Sequence, residues 1–169
     1  MAIQNDSGSE ARPPTIDDLI LLCKKLNADD VKYVVLGGFA VNYYGLIRGT
    51  ADIDILVDTS EENVLKLKKA LRYLPEKAVD EIDPGDIAKY QVVRVSDDIV
   101  VDLMAKACDV TYETAGVEFY EFKGVRVPIV TLDTLIKTKE YSIRTRDKED
   151  LIFLKLRESE NVKDGGEQS

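Results

Sequence analysis

The sequence predicts an α+β (α/β) domain. Three observations carry this reading. Short apolar runs of strand length, at residues 31–36, 53–57 and 99–104, are interleaved with stretches whose apolar residues recur at helical spacing. Two of the helical stretches open on capping patterns, Thr15-Ile16-Asp17-Asp18 and Thr59-Ser60-Glu61-Glu62. The 169 residues are the length of one domain with one core.

Taken in order, residues 1–14 are polar, end in Pro13-Pro14, and read as a disordered leader. Ile16, Leu19, Ile20, Cys23 and Leu26 repeat at helical spacing, so a first helix runs to about Asn27. Residues 31–36 form a buried strand that ends at Gly37-Gly38. A short helix over residues 38–44 stops at Gly45, and residues 53–57 form the next strand. Val64, Leu67, Leu71 and Leu74 line a third helix, which Pro75 ends. Residues 76–88 are acidic and irregular, with a turn at Pro84-Gly85. Strands at residues 90–95 and 99–104, joined by Ser96-Asp97-Asp98, read as a hairpin.

Residues 112–122 are mixed, with alternation at Val117 and Phe119. Lys123-Gly124 turns the chain into a strand over residues 125–130. A helix from Thr131 carries Leu132, Leu135, Ile136 and Lys139. A last helix over residues 147–157 turns Leu151 and Leu154 inward, and residues 158–169 read as a polar, frayed tail. The expected organisation is therefore a leader (1–14), one domain (15–157) and a tail (158–169).

Composition removes several chemistries. There is no histidine, which excludes Ser-His-Asp and Cys-His catalysis and histidine-ligated zinc. A metal would be held by oxygen, which favours magnesium or manganese. Cys23 and Cys108 sit among apolar residues and read as buried thiols. No apolar run nears the roughly 20 residues of a membrane helix, and no secretory signal is visible, so a cytoplasmic protein without membrane partners is expected. The net charge of −9 repels long duplex nucleic acid. Against it, Lys137, Lys139, Arg144, Arg146 and Lys148 form a local basic patch suited to a small anion such as a nucleoside triphosphate.

The candidate site centres on two aspartates in one apolar run, Asp52 and Asp54. Alternate residues of a strand share a face, about 6–7 Å apart, so two carboxylates there can hold divalent cations between them. The alternative is a pair of turn aspartates at a strand mouth. Asp102, in Ile99-Val100-Val101-Asp102-Leu103-Met104, is costly in an apolar strand unless paired or metal-bound. Its alternative is an exposed strand face. Gly37 and Gly38 offer bare backbone N–H groups to phosphate, or simply a tight turn. Arg48, just upstream of the acids with Thr50, pairs with phosphate or with a carboxylate. Lys139, on an apolar helix face, contacts the triphosphate or snorkels. Asp147 reads as a helix-start acid or a site residue, and Asp150 as a helix-start acid.

Gly37-Gly38, Asp52-Ile53-Asp54 and Val101-Asp102-Leu103 together resemble the DNA polymerase β-like nucleotidyltransferase superfamily. The later Lys139 and Arg144-Thr145-Arg146-Asp147 segment is similar to its small bacterial and archaeal branches, the abortive-infection toxin-like and minimal nucleotidyltransferases. The resemblance implies a mixed, mostly antiparallel sheet flanked by helices, the nucleotidyltransferase fold. It implies two magnesium ions on Asp52, Asp54 and Asp102, with manganese as a substitute. It implies transfer of a nucleoside monophosphate from a nucleoside triphosphate to a hydroxyl, with release of pyrophosphate. The acceptor stays open among a small molecule, a tRNA end and a protein, as does the base. The competing expectation is a non-catalytic nucleotide-binding regulatory or antitoxin-type module.

Overall fold

The computed structural model describes residues 10–166. Residues 10–14 follow irregular backbone, and the rest of the expected leader lies outside the described residues. Arg12 ties this entry segment down. It donates to both carboxylate oxygens of Asp18 at 2.7 Å and to Asp98 at 3.2 Å.

The elements run α1 (Ile16–Ala28), β1 (Tyr33–Leu36), α2 (Gly37–Tyr43), β2 (Ile53–Val57), α3 (Glu61–Leu71), a 3-10 turn (Ala78–Glu81) and α4 (Asp86–Lys89). They continue with β3 (Val92–Ser96), β4 (Val100–Met104), β5 (Lys106–Ala107), β6 (Val110–Thr111), β7 (Val117–Phe122), β8 (Val125–Val130), α5 (Leu132–Lys137) and α6 (Thr145–Gly166). Thr15 closes a full capping box on α1, and Ser60 caps α3. The α1 start follows its acidic capping pattern, whereas at α3 the cap is Ser60, which accepts from the Asn63 N–H, one residue past the Thr59–Glu62 box suggested by the sequence.

The sheet order is β3-β4-β2-β1-β8-β7, with β5 and β6 forming a separate small ribbon. The β1–β2, β3–β4 and β7–β8 pairings are antiparallel; β1–β8 and β2–β4 are parallel. This is the expected mixed, mostly antiparallel sheet with flanking helices. Each sheet face meets different helices. Ile53, Ile55 and Val57 share a face with Val101, Leu103, Tyr33 and Val35 across the register. Tyr33 reaches α1 there, its hydroxyl donating to Asn27 at 2.8 Å. Helix α1 packs on α3. The opposite face carries Asp54 and Asp102, with α2 packed on β2 and α5 packed on α2 and α6. All four residues of β1 are buried, as a central strand covered on both sides requires.

Several boundaries differ from expectation. Strand β1 begins at Tyr33 rather than residue 31, because Val31 and Lys32 belong to the turn out of α1. The segment 76–88 folds into two short helical turns, which Asp97 steadies by accepting from the backbone N–H groups of Glu76 and Ala78. Lys139 lies just past α5, in a turn whose N–H donates to the Ile136 carbonyl. Helix α6 runs through the stretch expected to fray, to Gly166. Cys23 is buried as expected, its thiol pushed up to about 11 by burial, but Cys108 is exposed at a positive φ of 51° in the turn between β5 and β6. No helix among the described residues is long and apolar enough to cross a membrane.

Candidate active site

Asp54 and Asp102 are register partners across the parallel β2–β4 pairing, so their side chains leave the sheet on the same face, side by side. Asp52 precedes β2 in a bend rather than lying within the strand, but the same alternation brings it to that face. One oxygen from each of the three carboxylates lies within 4.8 Å of the others. Asp102 is buried, and not on an exposed strand face.

Three acids this close resist ionisation together. Burial first, then the charges of Asp52 and Asp102, push the Asp54 carboxyl up to about 7; the nearby Lys139 works in the opposite direction. Burial and the Asp102 charge raise Asp52 as well. A cluster held under such mutual repulsion gains from a divalent cation, and its donors are all carboxylate oxygen. That donor set fits magnesium or manganese.

The floor of the site is the glycine pair. Gly37 has φ +68°, and a Cβ there would stand 2.0 Å from Oδ2 of Asp54. A Cβ on Gly38 would stand 2.5 Å from Oγ1 of Thr50. The pair is therefore needed for backbone conformation and for close approach of β2 and the loop before it. Thr50 donates to the Asp52 carbonyl at 2.9 Å, which fixes the bend that delivers the first acid.

The remaining sequence-derived residues converge from the other end of the chain. Arg48 grips Asp150 through two bonds, Nε to Oδ1 at 2.9 Å and Nη2 to Oδ2 at 2.7 Å. Lys139 Nζ donates to Asp147 Oδ1 at 2.9 Å and stands 3.0 Å from Asp150 Oδ2. Ser142 and Arg144 donate to the other oxygen of Asp147, at 2.6 and 2.9 Å. Both acids titrate low. Burial opposes this, but donation from Ser142 and Lys139 brings Asp147 down to about 2, and donation from Arg48 and Lys139 lowers Asp150.

Asp150 is thus not a helix-start acid. It lies inside α6, is 1% exposed, and joins the loop before β2 to the last helix. Arg48 takes the carboxylate pairing that was one of its two readings, and Lys139 is buried among acids rather than snorkelling to solvent. Both line a cleft of about 170 Å³ with Gly37, Gly38, Asp52 and Asp54. Arg144 and Arg146 of the basic patch line it too. A second, largely apolar cavity of about 510 Å³ meets the cleft at Arg48 and Thr50 and is walled by Phe39, Tyr43 and Phe122.

Two residues at the site were not read as site residues in the sequence. One is Asp150. The other is Arg94, from edge strand β3, whose register partner is Asp102. Its guanidinium donates Nε to Asp102 Oδ1 and Nη2 to Asp102 Oδ2, each at 2.9 Å, and Nη2 also reaches Asp52 Oδ2 at 3.2 Å. The predicted turn at Ser96-Asp97-Asp98 would have set Arg94 opposite Val100; the turn centres on Asp98, with Ser96 paired to Val100, and that one-residue shift of its centre brings Arg94 opposite Asp102.

No family profile and no curated protein matches the sequence. The fold does match solved structures. An antigenic nucleotidyltransferase-like protein from Paracoccidioides brasiliensis superposes with a TM-score of 0.54 at 16% identity, over 85% of this chain and 78% of that one. The lincosamide antibiotic adenylyltransferase LnuA, in its lincomycin-bound form, superposes with a TM-score of 0.57 at 15% identity, over 85% of this chain and 98% of its own. At these identities the likeness is one of fold.

Proposed function

We propose that this chain, which has the nucleotidyltransferase fold, is a magnesium-dependent nucleotidyltransferase. It moves a nucleoside monophosphate from a nucleoside triphosphate to a hydroxyl acceptor. The acceptor oxygen forms a new bond to the α-phosphorus, the bond to the bridging oxygen breaks, and pyrophosphate leaves. The observation that carries this reading is the convergence of Asp52, Asp54 and Asp102 beside a cleft lined by Arg48, Lys139, Arg144 and Arg146.

Asp52, Asp54 and Asp102 would hold two magnesium ions, with manganese as a substitute. Bound there, the ions would lower the pKa of the acceptor hydroxyl and neutralise charge on the triphosphate. Asp102, the most buried of the three, would also take the hydroxyl proton. Arg144 and Arg146 face the phosphates from the mouth, with Arg48 and Lys139 held by Asp150 and Asp147 along the wall. Gly37, Gly38 and Thr50 keep that wall low enough for a polyphosphate to approach.

A volume of about 170 Å³ is below the roughly 300–1,000 Å³ of a typical ligand pocket. The cleft takes phosphates, and the larger cavity beyond Arg48 and Thr50 takes the flat ring of the base against Phe39 and Tyr43.

The test is incubation with each α-labelled triphosphate and magnesium, with small-molecule, tRNA and protein acceptors in turn. The adenylyltransferase among the fold neighbours makes ATP the first nucleotide to try. Transfer to one acceptor class is expected. It should fall by at least about a hundredfold in Asp52→Asn with the fold retained. Magnesium-dependent nucleotide binding without transfer to any acceptor would instead identify a nucleotide-binding regulatory or antitoxin-type module.

A further inference from the structure

Arg94 occupies the place where the acidic cluster most needs a cation. Its fork takes both oxygens of Asp102, and Nη2 bridges from Asp102 to Asp52. Few side-chain contacts are stronger than a bidentate guanidinium–carboxylate pair to a buried acid. Yet Arg94 itself is 59% exposed, on β3, the edge strand of the sheet. Its acid partner is fixed and buried, while the arginine end has open solvent beside it.

Magnesium takes carboxylate oxygens at about 2.0–2.1 Å and tolerates little distortion of its shell. A cation held by Asp52 and Asp102 would compete for the oxygens that Nη2 now bridges, and would repel the guanidinium as a like charge. The two occupancies exclude one another. Withdrawal breaks the fork but strands no desolvated cation, because the guanidinium is already largely hydrated, and the incoming metal takes over the acids it releases.

We propose that Arg94 is the resident counter-ion of the triad. It holds Asp52 and Asp102 in register while the site is metal-free, yields to the divalent cation, and so sets the metal concentration at which the site fills. It is a positioning residue that acts through the acids, and the inference rests on the metal-binding reading of the triad. Two consequences of opposite sign follow. Removing Arg94 destabilises the metal-free protein, because three crowded acids lose their only close counter-ion among the described residues apart from the more distant Lys139. The same removal tightens metal binding, because nothing has to be displaced.

The experiment is titration of the full chain with magnesium and with manganese by calorimetry, without nucleotide, for wild type, Arg94→Gln and Arg94→Lys. Each titration is paired with a thermal melt with and without metal. Arg94→Gln should bind about tenfold more tightly than wild type. It should melt lower without metal and gain more from metal. Arg94→Lys keeps the charge but loses the fork, and should fall between. Metal binding that is equal or weaker in Arg94→Gln overturns the counter-ion role and leaves the metal site standing. Absence of metal binding in all three proteins overturns both this inference and the proposed function.

Discussion

Asp147 shows how far single side chains in this site are constrained. Lys139, Ser142 and Arg144 all donate to it, and its carboxyl sits at about 2 against an ordinary value near 3.9. A carboxylate whose folded pKa lies below its unfolded one contributes stability that is fully present above the unfolded value. That contribution is lost as pH falls through the folded value. Asp150 is shifted in the same direction. Stability measured by urea unfolding should therefore drop steeply between about pH 4 and pH 2. In Asp147→Asn that limb should be shallower, with lower stability already at pH 7; an unchanged slope would mean the shift is not real. The sequence exposed Asp52, Asp54 and Asp102 because a charge inside an apolar run is anomalous on its face. Arg94 and Asp150 carry no such anomaly. An arginine on an edge strand and an aspartate in a polar helix turn are ordinary until register and burial give them partners, and those partners lie 8 and 102 residues away in the chain.

At the scale of elements, the site is a junction of β2, β4 and the β1–α2 turn. The turn is its tightest part. Gly37→Ala would force an unfavourable left-handed backbone onto alanine and drive a methyl group into the Asp54 carboxylate. A loss of about 1–3 kcal/mol is expected, read by urea denaturation, together with weakened magnesium binding. A fully stable variant with normal metal affinity would sink the idea that the glycine is there for close approach. Most strands and helices were readable because hydrophobic period and capping residues are local signals. The segment 76–88 and the reach of α6 were not. The first folds around buried Asp97, a tertiary contact, and the second carries so polar a face beyond Leu154 that nothing local marks it as ordered.

For the molecule as a whole, ligand binding should register as stability. A magnesium–triphosphate complex at about a hundred times its dissociation constant adds about 2.7 kcal/mol. For a chain of this size that corresponds to a rise in melting temperature of about 5–10 °C. Scanning fluorimetry with each triphosphate reads it directly, and Asp102→Asn should abolish it. A wild-type protein unmoved by every triphosphate would argue against any nucleotide site. The α+β class was readable from the sequence, since strand-length and helix-length patterns alternate along it. Strand order was not, because which strands neighbour one another is decided by packing across the whole sheet and not by any segment's own pattern.

The lateral pairing of Asp54 with Asp102 has a consequence for how such a chain can change over time. Their separation is gauged by the hydrogen-bond ladder between two adjacent strands, a spacing of about 4.8 Å common to every β-sheet. No loop, and no particular neighbouring side chain, sets that distance. Surfaces, connections and core residues can be replaced almost entirely while the ruler stays the same length. Kinship in a protein built this way would persist in its shape long after its letters had ceased to agree.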